Sequence, residues 1–297
     1  MNILVFIKQV EDIRVPVACD AATGTVKAEW NVPVLNPDDG AAIEAALELK
    51  AGLPESRITL INLGPPCSEG MIRDGLALGC DEGLRVWDND LEDLHAPAKA
   101  VILARVARTM PFDLILAGAG SQDTASAQLG LLLASSLGVP CITHATELRR
   151  AGVGAVAVDR RLARGFRQEV RAATPLVVTM VTSFNEGPGR YASLPALLEE
   201  TTREIPCVDL ADIGIPAQWV RQTESLLSFG PLGFPKARRK FIAAPDSSLP
   251  AYERREKLRE GSIKRREGRI VKGGEDAVVE ELFQALLQGG WLSHLRG

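Results

Sequence analysis

GAGSQDTASAQLGLLLASSLGVPCIT, residues 118 to 143, sets a turn of small and hydroxyl residues between two apolar runs. The run before it, Phe112 to Ala117 (FDLILA), reads as a buried parallel strand. The run inside it, Leu129 to Leu137, reads as a helix packed on that strand. A turn between a strand's carboxyl end and a helix start is where open α/β sheets bind ligands. Helix amides there lack intrahelical partners and point at whatever occupies the crevice. The expected ligand is a nucleotide. Gly118-Ala119-Gly120-Ser121 lacks the third glycine of GxGxxG, so it is not the dinucleotide fingerprint. Gln122, Asp123, Thr124, Ser126 and Gln128 offer polar contacts, though helix capping alone would also account for Asp123 and Thr124.

Further strands precede this unit: Ile3 to Ile7, Ile58 to Leu63 and, more weakly, Leu84 to Trp87. Val139 to Thr143 follows as a fifth. Helical patterns lie between them at Asp39 to Lys50, Ser68 to Leu78 and Ala98 to Met110. Strands alternating with helices of this length imply βαβ units and a parallel sheet. Continuous apolar strands fit a sheet covered on both faces.

After residue 144 the rhythm changes. Glu147 to Arg150, the turn 151–154 and Ala155 to Asp159 read as a β-hairpin. Phe166 to Arg171 and Leu176 to Val181 read as further strands, the second apolar enough to rejoin the main sheet. From Glu186 the chain reads as loop, and from Pro206 to Gly268 it shows no core pattern. Tyr252 to Lys272 holds nine Lys or Arg and four Glu. It reads as a solvated mixed-charge helix or as an arm lying on another protein. Glu275 to Gln288 is a terminal amphipathic helix. The expected organisation is an α/β nucleotide-binding domain over 1–205 and a C-terminal arm and helix over 206–297 that packs on a partner subunit. An arm unable to bury its own surface needs a partner to order it.

Composition narrows the function. The 297 residues carry a net charge of −4 and 5% aromatics, which argues against nucleic acid binding. The five cysteines form no CxxC pair and no His cluster accompanies them, so a metal centre or disulfide framework is not expected. MNILVFIKQV has neither a basic leader nor a cleavage site and reads as a first strand. No run approaches the length of a membrane span. The expected location is cytoplasmic. His95, His144 and His294 have no local nucleophile motif, so a nucleotide pocket without evident chemistry points to a binding or carrier subunit.

Asn36-Pro37-Asp38-Asp39 has two readings. One is a helix start, with Asn36 as cap, Pro37 in the first turn and the acids facing the helix dipole. In the other, these residues meet a ribose or an adenine edge. Gly64-Pro65-Pro66, at a strand's carboxyl end, is a turn and a candidate pocket wall.

Six segments in order resemble the beta subunit of electron transfer flavoproteins. VFIKQV (5–10) resembles the family's opening strand. Asn36-Pro37, with Ala42, Glu44 and Ala45 following, resembles its NP motif and helix. LGP (63–65), LALGCD (76–81) and DLILAG (113–118, with QLG at 128–130) are similar to its next motifs. Asn185-Glu186 with RYASLP (190–195) resembles NEPRYxSLP. The resemblance implies an α/β, doubly wound, mostly parallel sheet of the adenine-nucleotide alpha-hydrolase-like kind. A β-hairpin and an extended C-terminal arm complete the expected fold.

The resemblance also implies an electron carrier. Its partner would be a flavin-bearing alpha subunit, and it would pass electrons from a dehydrogenase of the acyl-CoA type, as in fatty acid beta-oxidation, to a quinone oxidoreductase or similar acceptor. FAD would lie mainly on the alpha subunit, with AMP in this chain. The alternative is an electron-bifurcating subunit with a second FAD here and NADH as donor. A nucleotide-sensing module of the universal-stress type is a further alternative. The implied pocket is Phe6, Asn36, Asp38, Asp39, Leu63, Gly118, Gly120, Ser121, Gln122, Asp123, Thr124, Ser126, Gln128 and Leu129. Arg190, Tyr191, Leu194 and Pro195 would form the docking segment, with Leu194, on the loop before Pro195, as its anchor. The chain departs from the family in several places. Ala119-Gly120 replaces Lys-Gln, Gly187 and Gly189 are extra, and Leu197 to Glu200 replaces a basic run. The segment 229–266 is longer than the family's.

Overall fold

The computed structural model describes residues 1–15, 20, 32–91, 94–182, 189–224, 246–260 and 273–288. Cys19, Asn185, Glu186, Gly187, Pro188, His294 and most of the segment 229–266 lie outside these residues. The chain divides into two compact units, Met1–Phe234 and Pro235–Gly297.

The first unit is an α/β sheet packed on both faces. Its strands are β1 (Asn2–Ile7), β4 (Arg57–Leu63), β5 (Glu82–Val86), β6 (Leu114–Gly118), β7 (Cys141–Gly152), β8 (Ala155–Arg161), β9 (Arg167–Ala173), β10 (Leu176–Met180) and β11 (Cys207–Val208). Their order is β11-β5-β4-β1-β6-β10-β7-β8-β9, and β11 through β7 run parallel. Two short strands, β2 (Gln9–Glu11) and β3 (Pro33–Leu35), pair separately.

Alternation along each strand feeds two cores. Ile3, Val5 and Ile7 face one side with Leu114, Leu116 and Val178. There α1 (Pro37–Gly52) and α2 (Glu69–Ala77) cover them. Leu4, Phe6, Ile115 and Val177 face the other side, under α3 (Ala96–Ala107) and α4 (Leu129–Leu137). The chain leaves β1 toward β4 and β5, then returns through α3 to β6 on the other flank of β1. The order therefore reverses between β1 and β6, which opens a crevice at their carboxyl ends. The doubly wound, mostly parallel fold expected from the sequence is present, and β10 rejoins the sheet between β6 and β7.

Three local readings are corrected. Cys141 to Thr143 of the expected fifth strand and Glu147 to Arg150 are not separate strands but parts of β7, and Val139 and Pro140 precede it. Its first part pairs with β10 and its second with β8, and the exchange of partner falls beside His144, at φ 58. Leu194 is not in a loop. It opens α5 (Leu194–Thr201), capped by Ser193, whose hydroxyl accepts from Ala196 N at 3.4 Å. Pro195 disguised this helix, but a proline in the first turn forfeits no intrahelical bond. Finally, residues 207–224 carry core. β11 pairs with β5, and Leu210, Ile213 and Val220 are buried with Leu103 in the α3 core. The last of these lies on α6 (Ala217–Glu224). A two-residue strand is too short to show periodicity.

In the second unit, α7 (Ala251–Glu260) has exposed side chains through Leu258, and α8 (Glu275–Gln288) leaves Val279, Leu282 and Phe283 exposed. Among the described residues no helix is long and apolar enough to cross a membrane.

Candidate nucleotide site

A cavity of about 370 Å³ occupies the crevice between β1 and β6. Phe6, Ile61, Leu63, Leu94, Leu103, Ala117 and Leu129 form its apolar wall. Asn36, Asp39 and the turn from Gly118 to Ser121 close one end, and Thr124, Ser126, Ala127 and Gln128 line its rim. Eleven of the residues named from the sequence thus converge: Phe6, Asn36, Asp39, Leu63, Gly118, Gly120, Ser121, Thr124, Ser126, Gln128 and Leu129. Asp38, Gln122 and Asp123 stand behind the lining.

The N-terminal turn of α1 works as a clasp. Asn36 occupies the cap position, yet its side chain makes no capping bond. Instead Nδ2 donates to Gly120 O at 2.9 Å and Oδ1 accepts from Gln122 N at 3.3 Å. The Asp39 carboxylate accepts from Lys8 N and Gly118 N, both at 2.8 Å. Asp38 accepts from Gly120 N at 3.3 Å. Proline at position 37 starts the helix without a missing bond and frees both acids to face the strand ends. Burial pushes the Asp39 carboxyl up to about 7, against the pull of Asn36 and the two amides.

These bonds decide which part of the turn is available to a ligand. The amides of Gly118, Gly120 and Gln122 are held by α1, and that of Ala119 donates to Met180 O at 2.7 Å. Among the described residues no bond occupies the amides of Ser126, Ala127 or Gln128, and the first amides of α4 follow directly. Ala125 and Ala127 hold φ values of 48° and 53°, in the left-handed region that alanine rarely enters. Strain of this kind gathers at ligand sites. The apolar slot suits a planar base, and the free amides at 126–130 suit an anionic group. The residues present therefore fit a nucleotide.

The sequence reading missed one wall. His95, Ala96, Pro97 and Lys99 bring the start of α3 over the cavity. Glu224 of α6 fixes this end, accepting from His95 N at 3.1 Å and pairing with its Nδ1. Lys8, also unforeseen as lining, pairs with Asp123. Burial raises the Asp123 carboxyl, but Lys8 and the Ser121 hydroxyl outweigh it and hold it below the usual range. The residues expected to dock a partner lie elsewhere. Arg190 pairs with Glu44 at 2.9 Å, while Tyr191 and Leu194 are 83% and 68% exposed and Pro195 is exposed.

Residues 25–212 match the electron transfer flavoprotein domain. The chain belongs to the electron transfer flavoprotein family. Among its relatives is the caffeyl-CoA reductase-Etf complex subunit CarD of Acetobacterium woodii, 32% identical over 72% of this chain and 80% of that protein. The electron transfer flavoprotein subunit beta of Megasphaera elsdenii is also 32% identical, over the same shares of the two chains. That of Bradyrhizobium diazoefficiens is 34% identical over 72% of this chain and 84% of its own. Within the family, this chain is an electron-transfer subunit of the beta type.

Proposed function

We propose that this subunit pairs with a flavin-bearing alpha subunit and holds AMP in the β1–β6 crevice. In this reading the pair carries electrons between an acyl-CoA-type dehydrogenase and a quinone oxidoreductase or similar acceptor. The observation that carries it is the cavity at the switch point, apolar along its wall and lined by free amides at its rim. Two relatives are named as a subunit of a caffeyl-CoA reductase complex and as an acryloyl-CoA reductase electron transfer subunit. Their names support a partner that acts on CoA thioesters.

A bound flavin would supply the redox chemistry. The residues of this chain bind and orient. Phe6, Leu63 and Leu129 keep water from the base, while the clasp of Asn36 and Asp39 fixes the turn. Ligand binding to the folded state alone also stabilises the fold.

A second FAD in place of AMP is the alternative, as in a bifurcating subunit. It is favoured by the start of α3, where Pro97 and Lys99 extend the wall beyond the turn. Acid release of nucleotide from the co-purified alpha–beta complex separates the two. One FAD and one AMP per pair supports the carrier, and two FAD without AMP supports the alternative. A stable pair that releases a single FAD and no second nucleotide overturns both.

A further inference from the structure

We propose that Asp38 links the nucleotide cavity to the docking segment, so that filling one orders the other. The inference rests on the nucleotide reading of the cavity and on the docking role that the family resemblance implies for residues 190–195. Asp38 sits behind the lining and uses its two oxygens in different directions. Oδ2 accepts from Gly120 N at 3.3 Å, within the cavity turn. Oδ1 accepts from both Thr182 N and Thr182 Oγ1 at 2.9 Å. Thr182 lies just beyond β10, where the chain leaves the sheet toward Arg190.

Arg190 fastens to the same helix. Its amide donates to Glu44 Oε1 at 2.6 Å and its Nε to Oε2 at 2.9 Å. Both ends of the stretch 182–190 are therefore anchored on α1, and Tyr191 and Leu194 project directly after the second anchor. Of the two anchors, only Asp38 also holds the cavity turn.

The chemistry of the group makes the link specific to a carboxylate. A carboxylate accepts along both oxygens at once, whereas an amide accepts on one only. A ligand that steadies Gly118 to Ser121 keeps Gly120 N–H aimed at Oδ2 and fixes the carboxylate plane. That plane in turn sets Oδ1 against Thr182. The coupling is reciprocal, so a partner that orders the docking segment also tightens nucleotide retention.

Hydrogen exchange on the full-length chain, freed of nucleotide and measured with and without AMP or FAD, tests this. A binding nucleotide protects residues 119–130. The expected result is that it also slows exchange at Thr182 and Arg190 to Ala192 by about fivefold or more. In Asp38→Asn the second effect vanishes. Thr182→Val, which deletes an exposed hydroxyl outside the cavity lining, should keep the protection of 119–130 and weaken the second effect. Protection confined to 119–130 in the unaltered chain, or undiminished coupling in Asp38→Asn, overturns the link while sparing the nucleotide reading. No protection of 119–130 by either nucleotide overturns both.

Discussion

Gly118 is held against Asp39. Its amide donates to Oδ1 at 2.8 Å, and a Cβ on residue 118 would collide with that same oxygen. The strand end and the helix start approach so closely that no side chain fits between them. Gly118→Ala must push α1 away from β6 or break the bond. The expected cost is about 2 kcal/mol, the usual scale for forcing an extra carbon into a packed site. Urea unfolding measures it. Nucleotide content of the purified complex should fall as well, because the Asn36 contact to Gly120 depends on the same approach.

Asp39 makes stability depend on pH in a direction unusual for a carboxylate. Its folded value is raised to about 7, above the unfolded value near 3.8. Between these values the folded state holds a proton that the unfolded state has released. Stability is therefore full at and below about pH 4 and falls as pH rises toward 7. Urea midpoints of the native chain and Asp39→Asn, compared from pH 4.5 to 7.5, isolate this residue. The native chain should lose ground relative to the variant as pH rises, and parallel curves would rule the effect out.

Gly130 lets α4 settle onto β10. A Cβ there would collide with Thr179 Cγ2. Gly130→Ala gains helix propensity of about 1 kcal/mol but should still destabilise the fold through overpacking. Thr179→Ser removes the obstructing methyl and keeps the hydroxyl that accepts from His144 N at 3.1 Å. The double variant should recover most of the loss. A thermal double-mutant cycle should show a favourable coupling of about 1 kcal/mol.

Leu194 stands 68% exposed on the first turn of α5 and takes no part in the core. Leu194→Ala should change stability by less than about 0.5 kcal/mol. If Leu194 is the docking anchor that the resemblance implies, the variant should slow electron delivery from the donor dehydrogenase by about tenfold. Stopped-flow reduction of the alpha–beta complex by that donor measures this. Unchanged reduction would remove Leu194 from the docking role.

The central sheet was legible because its signals are long and local. Leu129 to Leu137 is a largely apolar run ending at a left-handed glycine, Gly138, and the helix has the bounds read from sequence. β11, α5 and the partner exchange in β7 were not. The first is two residues long, the second carries a proline in its first turn, and the third turns on pairing that no local pattern records. The cavity shows the same division. The polar turn announced itself, whereas the wall from Leu94 to Lys99 depends on where a distant helix begins. Asp38, Gln122 and Asp123 were recognisable as hydrogen-bonding groups, but sequence does not say what such groups face. Asp38 bonds to Thr182 and Gly120 and Asp123 to Lys8, while Gln122 is held by Asn36 through its backbone amide.

The outermost parallel strand bears on synthesis. The exposed flank of β5 is closed only when Arg85 N and Trp87 N reach the carbonyls of Pro206 and Val208, at 2.9 and 3.0 Å. Until residue 208 has emerged from the ribosome, the nascent sheet presents an open hydrogen-bonding rim that another chain can extend. The short β11 is thus the closing stitch of the domain. A chain halted just before it would already hold most of the core and still be prone to self-association.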